Sequence, residues 1–204
     1  MFFKPSSRRS RTPPTGFIRP AQPALVAKPP IGPDWTHEVK HDGYRLIALK
    51  EGPRMKLWTR HGTDFTDRFP RIAAAVRALP IERVLLDGEA VVFRSDGLSD
   101  FEGLLTKRGG ERAALVAFDL LSLEGEDWRL RPLEERRKAL SRIVAGDVGA
   151  IMLSQSIEAD GAIVFAKACE MGLEGIVSKR AGSFYKSGPC RSWLKTRNSG
   201  FVRT

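Results

Sequence analysis

An α+β fold built largely from antiparallel sheets is what this sequence predicts. Two observations carry that reading. Segments with strand character outnumber those with helical periodicity, and several neighbouring strand segments are joined by tight turns rather than by crossover helices.

The elements follow in order. Residues 1–34 hold eight of the 13 prolines, which denies them regular core structure. They are read as extended, with Phe17 to Val26 laid against the domain. From Trp35 the pattern changes. Tyr44–Lys50 and Met55–Thr59 read as strands joined by the Glu51–Arg54 turn. Pro70–Leu79 reads as a helix, with proline in the first position and an alanine-rich apolar face. Arg83–Phe93 is a strand that ends in the Ser95-Asp96-Gly97 turn, and Ala114–Leu121 is a buried strand. Pro132–Val144 is a charged amphipathic helix followed by Gly146, and Ala159–Met171 is a helix stopped by Gly172. Gly175–Lys179 and Trp193–Arg197 are short strands. No internal repeat is present.

A length of 204 residues and a hydrophobic content of 42% suit one domain or a compact pair with a real core. No apolar run approaches the ~20 residues needed to span a bilayer. The start, MFFKPSSRRSRTPP, lacks the apolar stretch of a signal peptide. Its Arg/Ser-rich, acid-free composition faintly suggests an organelle transit peptide, but its prolines oppose the amphipathic helix such a peptide needs. Cys169 and Cys190 show no metal-ligand spacing and are too few for a disulfide framework, so a reducing cytoplasm is expected. The net charge is +10, and more than half of that excess lies in residues 1–33, where Lys4, Arg8, Arg9, Arg11, Arg19 and Lys28 meet no acid. A basic leader of this kind is either a solvated, disordered tail or a contact for a polyanion.

Chemistry concentrates in five segments. The first is His37-Glu38-Val39-Lys40-His41-Asp42-Gly43-Tyr44-Arg45, where a strand followed by a turn at Gly43 would place Lys40 and Asp42 on one face. A lysine is nucleophilic only when neutral, and its unperturbed pKa of about 10.4 leaves fewer than about one amine in a thousand neutral at pH 7. A working site must therefore favour the free amine by burial or nearby cations. The second segment, Leu85-Leu86-Asp87-Gly88-Glu89-Ala90, sets two carboxylates at a strand break. The third, Ala117-Phe118-Asp119-Leu120, places an aromatic ring inside an apolar strand. The fourth, Glu174-Gly175-Ile176-Val177-Ser178-Lys179, sets an acid and a base across a short strand. In the fifth, Trp193-Leu194-Lys195-Thr196-Arg197, two cations project from one strand face. Each has an ordinary structural reading by itself: a surface ion pair, a core phenylalanine, a hairpin closure, a solvated edge.

Taken in order, the five segments resemble the motifs of the covalent nucleotidyltransferase superfamily of ligases and capping enzymes. Lys40, Asp42, Gly43 and Arg45 match its Lys-x-Asp-Gly-x-Arg motif in full. The lead-in Phe17-Ile18-Arg19-Pro20 to Lys28-Pro29-Pro30, Trp35 and Glu38 is similar to that of bacterial ATP-dependent ligase modules used in DNA end joining. So is the run from Thr59-Arg60-His61-Gly62 to Asp67-Arg68-Phe69-Pro70. The resemblance covers roughly residues 17 to 197.

The resemblance implies a nucleotidyltransferase (ATP-grasp-like) domain of twisted, largely antiparallel sheets flanked by helices. It implies that Lys40 attacks the α-phosphate of ATP and keeps AMP. The AMP then passes to the 5′-phosphate of a DNA nick, and a 3′-hydroxyl displaces it. Asp42, Lys179 and Lys195 join Lys40 as catalytic positions. Glu38 falls on the adenine side, Arg45 and Glu89 at the ribose, and Phe118 stacks on the base. Lys179, Lys195 and Arg197 surround the phosphates. Glu89 and Glu174 would place Mg²⁺ or Mn²⁺, a hard cation suited to carboxylate and phosphate oxygens. Arg60 and Arg68 would face the DNA backbone.

Three departures qualify the match. Only Asn198 to Thr204 follow the last motif, where complete ligases continue into an oligonucleotide-binding barrel of at least ~25 strand residues. Arg197 stands where lysine is usual, exchanging a compact ammonium for a planar fork. The extra DNA-binding domain of larger ligases is not found before Phe17. The expected organisation is a disordered basic tail over 1–16, an adenylation domain over 17–204 and no barrel. Partners are nicked or broken duplex DNA, and an end-binding repair protein or a separate barrel-bearing protein. Two other readings remain open: an RNA ligase or mRNA guanylyltransferase, and a truncated core that binds nucleotide or DNA ends without turnover.

Overall fold

The computed structural model describes residues 14–146 and 148–203, so most of the basic tail expected over 1–16 lies outside the described residues. The chain forms β1 (Ala21–Leu25), β2 (Trp35–Val39), β3 (Tyr44–Glu51), β4 (Arg54–Thr59), α1 (Pro70–Ala78), β5 (Arg83–Val91), α2 (Phe101–Leu105) and α3 (Gly109–Arg112). It continues through β6 (Ala114–Leu123), β7 (Glu126–Asp127), α4 (Leu133–Ile143), β8 (Ile151–Leu153), α5 (Gly161–Glu170), β9 (Gly175–Arg180) and β10 (Gly188–Arg197). A small sheet runs β1-β10-β9-β2. A larger one runs β4-β3-β5-β6-β7, with β8 also paired to β6. Among the described residues only β1–β10 and β6–β8 are parallel pairs. The α+β, largely antiparallel architecture is therefore as expected.

The larger sheet is covered on both faces, which explains the unbroken apolar run Leu46–Leu49. Alternate strand residues point to opposite faces. Leu46 and Ala48 join one core with Leu57, Ile72, Val76, Leu86, Leu115 and Leu140, under helices α1 and α4. Ile47 and Leu49 join a second core with Leu85, Leu121, Tyr185 and Trp193, which seals the larger sheet to the smaller. Lys50, at the far end of β3, donates to the carbonyls of Arg77 and Leu79 at 2.7 and 2.6 Å and so caps the end of α1.

Several expectations need correcting. The proline-rich leader does form a regular element, because β1 is an edge strand. Its Pro23 sits beside a register shift against β10, where a missing N–H costs little. The segment bearing Lys40 leaves the strand earlier than expected: β2 ends at Val39. The expected break at Asp87-Gly88 is a bulge between β5 and β6 within a continuous strand. Strand β10 begins five residues before Trp193, and the short elements α2, α3, β7 and β8 carry too few residues to show a period.

Candidate nucleotide-binding site

A cleft of about 1300 Å³ lies where the two sheets meet, and residues from both line it. Lys40 enters it just past β2. Its backbone N–H still donates to the Gly175 carbonyl at 2.9 Å, so the lysine is held against the start of β9. Its Nζ donates to Glu174 Oε2 at 2.5 Å. Gly175, which follows that acid, has φ +143°, and a Cβ there would strike the Thr196 carbonyl of β10. Glycine thus lets β9 and β10 close behind the Lys40–Glu174 pair. The Arg197 guanidinium stands 3.7 Å from the other Glu174 oxygen. Lys195 is half-buried. Burial lowers its pKa from the ordinary lysine value, and the positive charges of Arg197, Lys40 and Arg60 push the same way. The structure thus gathers Lys40, Glu174, Lys195 and Arg197 into one end of the cleft.

Asp42 lies in the same region but does not face open solvent. Arg203 grips it with two hydrogen bonds of 2.6 and 2.7 Å, and the guanidinium rests 4.3 Å from the centre of the Phe101 ring. Arg45 is also occupied. It forks onto Asp87 at 2.5 and 2.7 Å, and Tyr185 donates its hydroxyl to the same carboxylate at 2.6 Å. Burial opposes the charge on Arg45, but Asp87 outweighs it and holds the pKa above the ordinary arginine value. This buried triad ties β3, β5 and the loop before β10 across the junction of the sheets. It places the Arg45 guanidinium 4.4 Å from the centre of Phe118. Glu89 follows two residues after Asp87. Burial pushes its carboxyl up to about 7, against the pull of Arg45 and Lys40, while Asp87 and Glu174 push it further up.

The other end of the cleft is lined by Glu38, Phe118, Val177, Lys179 and Trp193. The Lys179 ammonium is 2.7 Å from Glu38 Oε1 and 3.1 Å from the Phe118 carbonyl. Burial lowers its pKa, and the Glu38 carboxylate opposes that. Among the residues expected at DNA, Arg60 reaches the cleft and donates to His61 at 2.8 Å, alongside Lys186 and Arg191 at the rim. Arg68 is elsewhere: its Nη2 donates to the carbonyls of Leu104, Leu105 and Thr106 at 2.8 to 2.9 Å, closing the end of α2. No group of three or more His, Cys, Asp or Glu side chains gathers into a metal cage among the described residues. Two acids, Glu89 and Glu174, do reach the lysine end, a donor set suited to a cation that completes its shell with phosphate oxygens.

Sequence reasoning missed Arg137, Ser154, Tyr185 and Arg203. Each reaches the site across a long stretch of chain, and none lies in a motif. Arg137 lies within the segment read only as a charged amphipathic helix, and a pattern of that kind does not single out one arginine.

His41 yields a pH prediction. It lies in the cleft wall with its ring edge-on to Phe93, and burial lowers its pKa to about 4, from an ordinary 6.5. Its folded form binds fewer protons than the unfolded chain between those values. Stability should therefore fall as pH drops from about 6.5 to about 4, by roughly 1–3 kcal/mol from this residue. His37 shifts in the same direction by burial. Urea unfolding of wild type and His41→Asn at pH 7 and pH 4.5 checks this. Equal losses in both proteins would show that His41 does not contribute.

Comparison with known proteins places this geometry. The family model for the ATP dependent DNA ligase domain matches residues 25–197. The multifunctional non-homologous end joining protein LigD of Pseudomonas aeruginosa is 39% identical over 191 residues, covering 92% of this chain and 23% of LigD. The chain thus spans under a quarter of that relative's length. The SPbeta prophage-derived DNA ligase-like protein LigB of Bacillus subtilis is 30% identical over 191 residues, covering 91% of this chain and 69% of LigB. The structure of a mycobacterial DNA ligase D complexed with ATP and MES superposes with a TM-score of 0.78 at 31% identity. That match covers 88% of this chain and 60% of the other. With its lysine, acid and cation motifs gathered in one cleft and a family match across most of its length, the chain belongs to the ATP-dependent DNA ligase domain family.

Proposed function

We propose that the chain is the adenylation module of an ATP-dependent DNA ligase acting in end-joining repair, and that Lys40 carries the AMP. The observation that carries this is the seat of Lys40. Its amine opens into a cleft that offers an aromatic wall at one end and Lys195 and Arg197 at its own end. ATP binds with adenine against Phe118 and its phosphates toward Lys195 and Arg197. Glu174, in contact with the ammonium, lies where it can receive its proton as the amine engages phosphorus. The N–P bond forms, the bond to the β-phosphate oxygen breaks, and pyrophosphate leaves. A 5′-phosphate at a DNA break then takes the AMP from Lys40, and a 3′-hydroxyl displaces it.

Glu89 and Glu174 would hold Mg²⁺ or Mn²⁺, which when bound supplies positive charge to the phosphate oxygens. Asp42 and Arg45 act as ordered supports in this reading, since each is committed to an ion-pair partner, Arg203 for Asp42 and the buried Asp87 for Arg45. DNA phosphates meet Arg60 and the neighbouring rim cations, with Arg68 holding the α2 end that borders them. An end-binding repair protein or a barrel-bearing protein is the expected partner in sealing, and the cytoplasm is the expected location. No helix among the described residues is long and apolar enough to cross a membrane.

The test is covalent labelling. Wild-type protein incubated with α-labelled ATP and Mg²⁺ should retain acid-labile label through denaturation, and excess chelator should prevent it. Absence of label at every nucleotide and metal concentration would overturn the adenylation reading. Full labelling with chelator present would overturn the metal assignment alone.

A further inference from the structure

Behind the base end of the cleft, Arg137 of α4 makes a set of contacts that the motifs do not account for. Its Nη1 donates to Glu38 Oε1 at 2.7 Å and approaches the Phe118 carbonyl at 3.4 Å, while Nη2 donates to the Ser154 carbonyl at 2.6 Å. The Ser154 hydroxyl donates to the other Glu38 oxygen at 2.8 Å. Glu38 and Lys179 line the cleft, but Arg137 and Ser154 do not. The carboxylate is therefore fixed from the rear at both oxygens, and Lys179 meets it from within.

Counting donors and acceptors shows what this fixation leaves open. An ionised carboxylate offers about four lone-pair sites, and an ammonium three donors. Glu38 Oε1 accepts from Arg137 and Lys179, and Oε2 accepts from Ser154, so one acceptor direction remains on Oε2. Lys179 gives one proton to Glu38 and one to the Phe118 carbonyl, so one donor is left without a hydrogen-bond acceptor, its ammonium resting 4.3 Å from the centre of the Trp193 ring that also lines the cleft. The pocket wall beside the Phe118 ring thus presents an acceptor next to a donor. A 6-aminopurine carries the complement, an amino donor beside the bare N1 acceptor. A 6-oxopurine carries the reverse, a carbonyl beside N1–H, and would set like against like at both positions.

We infer that Arg137 is a positioning residue for purine selection, holding Glu38 so that its free acceptor and the Lys179 donor favour a 6-amino over a 6-oxo base. This rests on the reading of the cleft as an adenylation site. Without Arg137, Glu38 keeps its charge but loses its fixed direction. It can then collapse onto Lys179 and consume both spare groups. Lysine at 137 would replace a planar fork that spans Glu38 and Ser154 with a single point charge.

The experiment compares wild type, Arg137→Met and Arg137→Lys with ATP and with inosine triphosphate, which differs from ATP only at the 6-position and N1. Single-turnover labelling of Lys40 gives a limiting rate and a half-saturation concentration for each nucleotide. Equilibrium binding of both nucleotides is measured alongside, and thermal midpoints establish folding. Wild type should favour ATP by about 100-fold or more, the scale at which sites built to pair polar groups reject mismatches. Arg137→Met should lower that ratio at least about tenfold, mainly by raising the half-saturation concentration for ATP while the limiting rate changes little. Arg137→Lys should fall between the two, and it carries the test if the methionine variant does not fold. An unchanged ATP to inosine triphosphate ratio in the folded variants, with both nucleotides weakened equally, would make Arg137 a structural staple and overturn the inference. A wild type that binds ATP selectively but is never labelled would sink the adenylation reading while the binding ratios still decide the role of Arg137.

Discussion

Lys40→Ala should eliminate acid-labile labelling by α-labelled ATP, with no detectable residual adenylate, while the protein stays folded. No other amine in the cleft shares its position. Lys179 is committed to Glu38 and the Phe118 carbonyl, and Lys195 lies a strand away on β10. Lys40 is only partly buried, so its loss opens no core cavity. It does leave Glu174 without its 2.5 Å partner, although Arg197 remains 3.7 Å away to hold that carboxylate. Lys40→Arg separates the two functions of the residue. A guanidinium preserves the ion pair with Glu174 but is never neutral near pH 7, so it should restore stability and leave labelling absent. Mass analysis of the intact protein after incubation with ATP and Mg²⁺ reads both variants. Label of wild-type extent on Lys40→Ala would remove Lys40 as the acceptor.

Arg136→Ala should destabilise the fold by about 3–5 kcal/mol, the cost of leaving one member of a buried ion pair without its partner. Arg136 and Asp119 are both fully buried and joined by hydrogen bonds of 2.7 and 2.9 Å. The remaining guanidinium donors reach the carbonyls of Arg131 and Ser183 at 2.6 and 2.9 Å, so truncation strips partners from two backbone groups as well. Set against a total stability of about 5–15 kcal/mol for a domain, this is a large fraction. Urea denaturation gives the value directly. A loss below about 1 kcal/mol would mean that water or a neighbouring side chain replaces the guanidinium. The site should feel the change, because Asp119 follows Phe118 on β6 and fixes the strand that presents the aromatic ring.

The motif residues are legible in the sequence because their chemistry is local. A lysine two residues before an acid and three before a glycine, a Glu-Gly pair opening a strand, and two cations at strand spacing each involve residues only a few positions apart. The larger sheet is legible too. Leu46–Leu49 and Leu115–Leu121 are largely apolar runs, and a strand covered on both faces gives that pattern. The edge strand β1 is not legible, since two prolines in and beside it outweigh any strand signal until the parallel partner β10 is known.

The sequence by itself determined the α+β class, the order of the chemical segments and the lysine that belongs to the family motif. Tertiary structure alone decided which charge meets which. Asp42 is held by Arg203, 161 residues away, Glu38 by Arg137, 99 residues away, and Asp87 by Tyr185, 98 residues away. Arg68 reaches the carbonyls that end α2, 36 to 38 residues away. Periodicity and motif spacing describe the few residues along one strand or one helical turn. An ion pair between elements depends on how two sheets pack, a long-range outcome set by the whole core, and no local pattern encodes its partner.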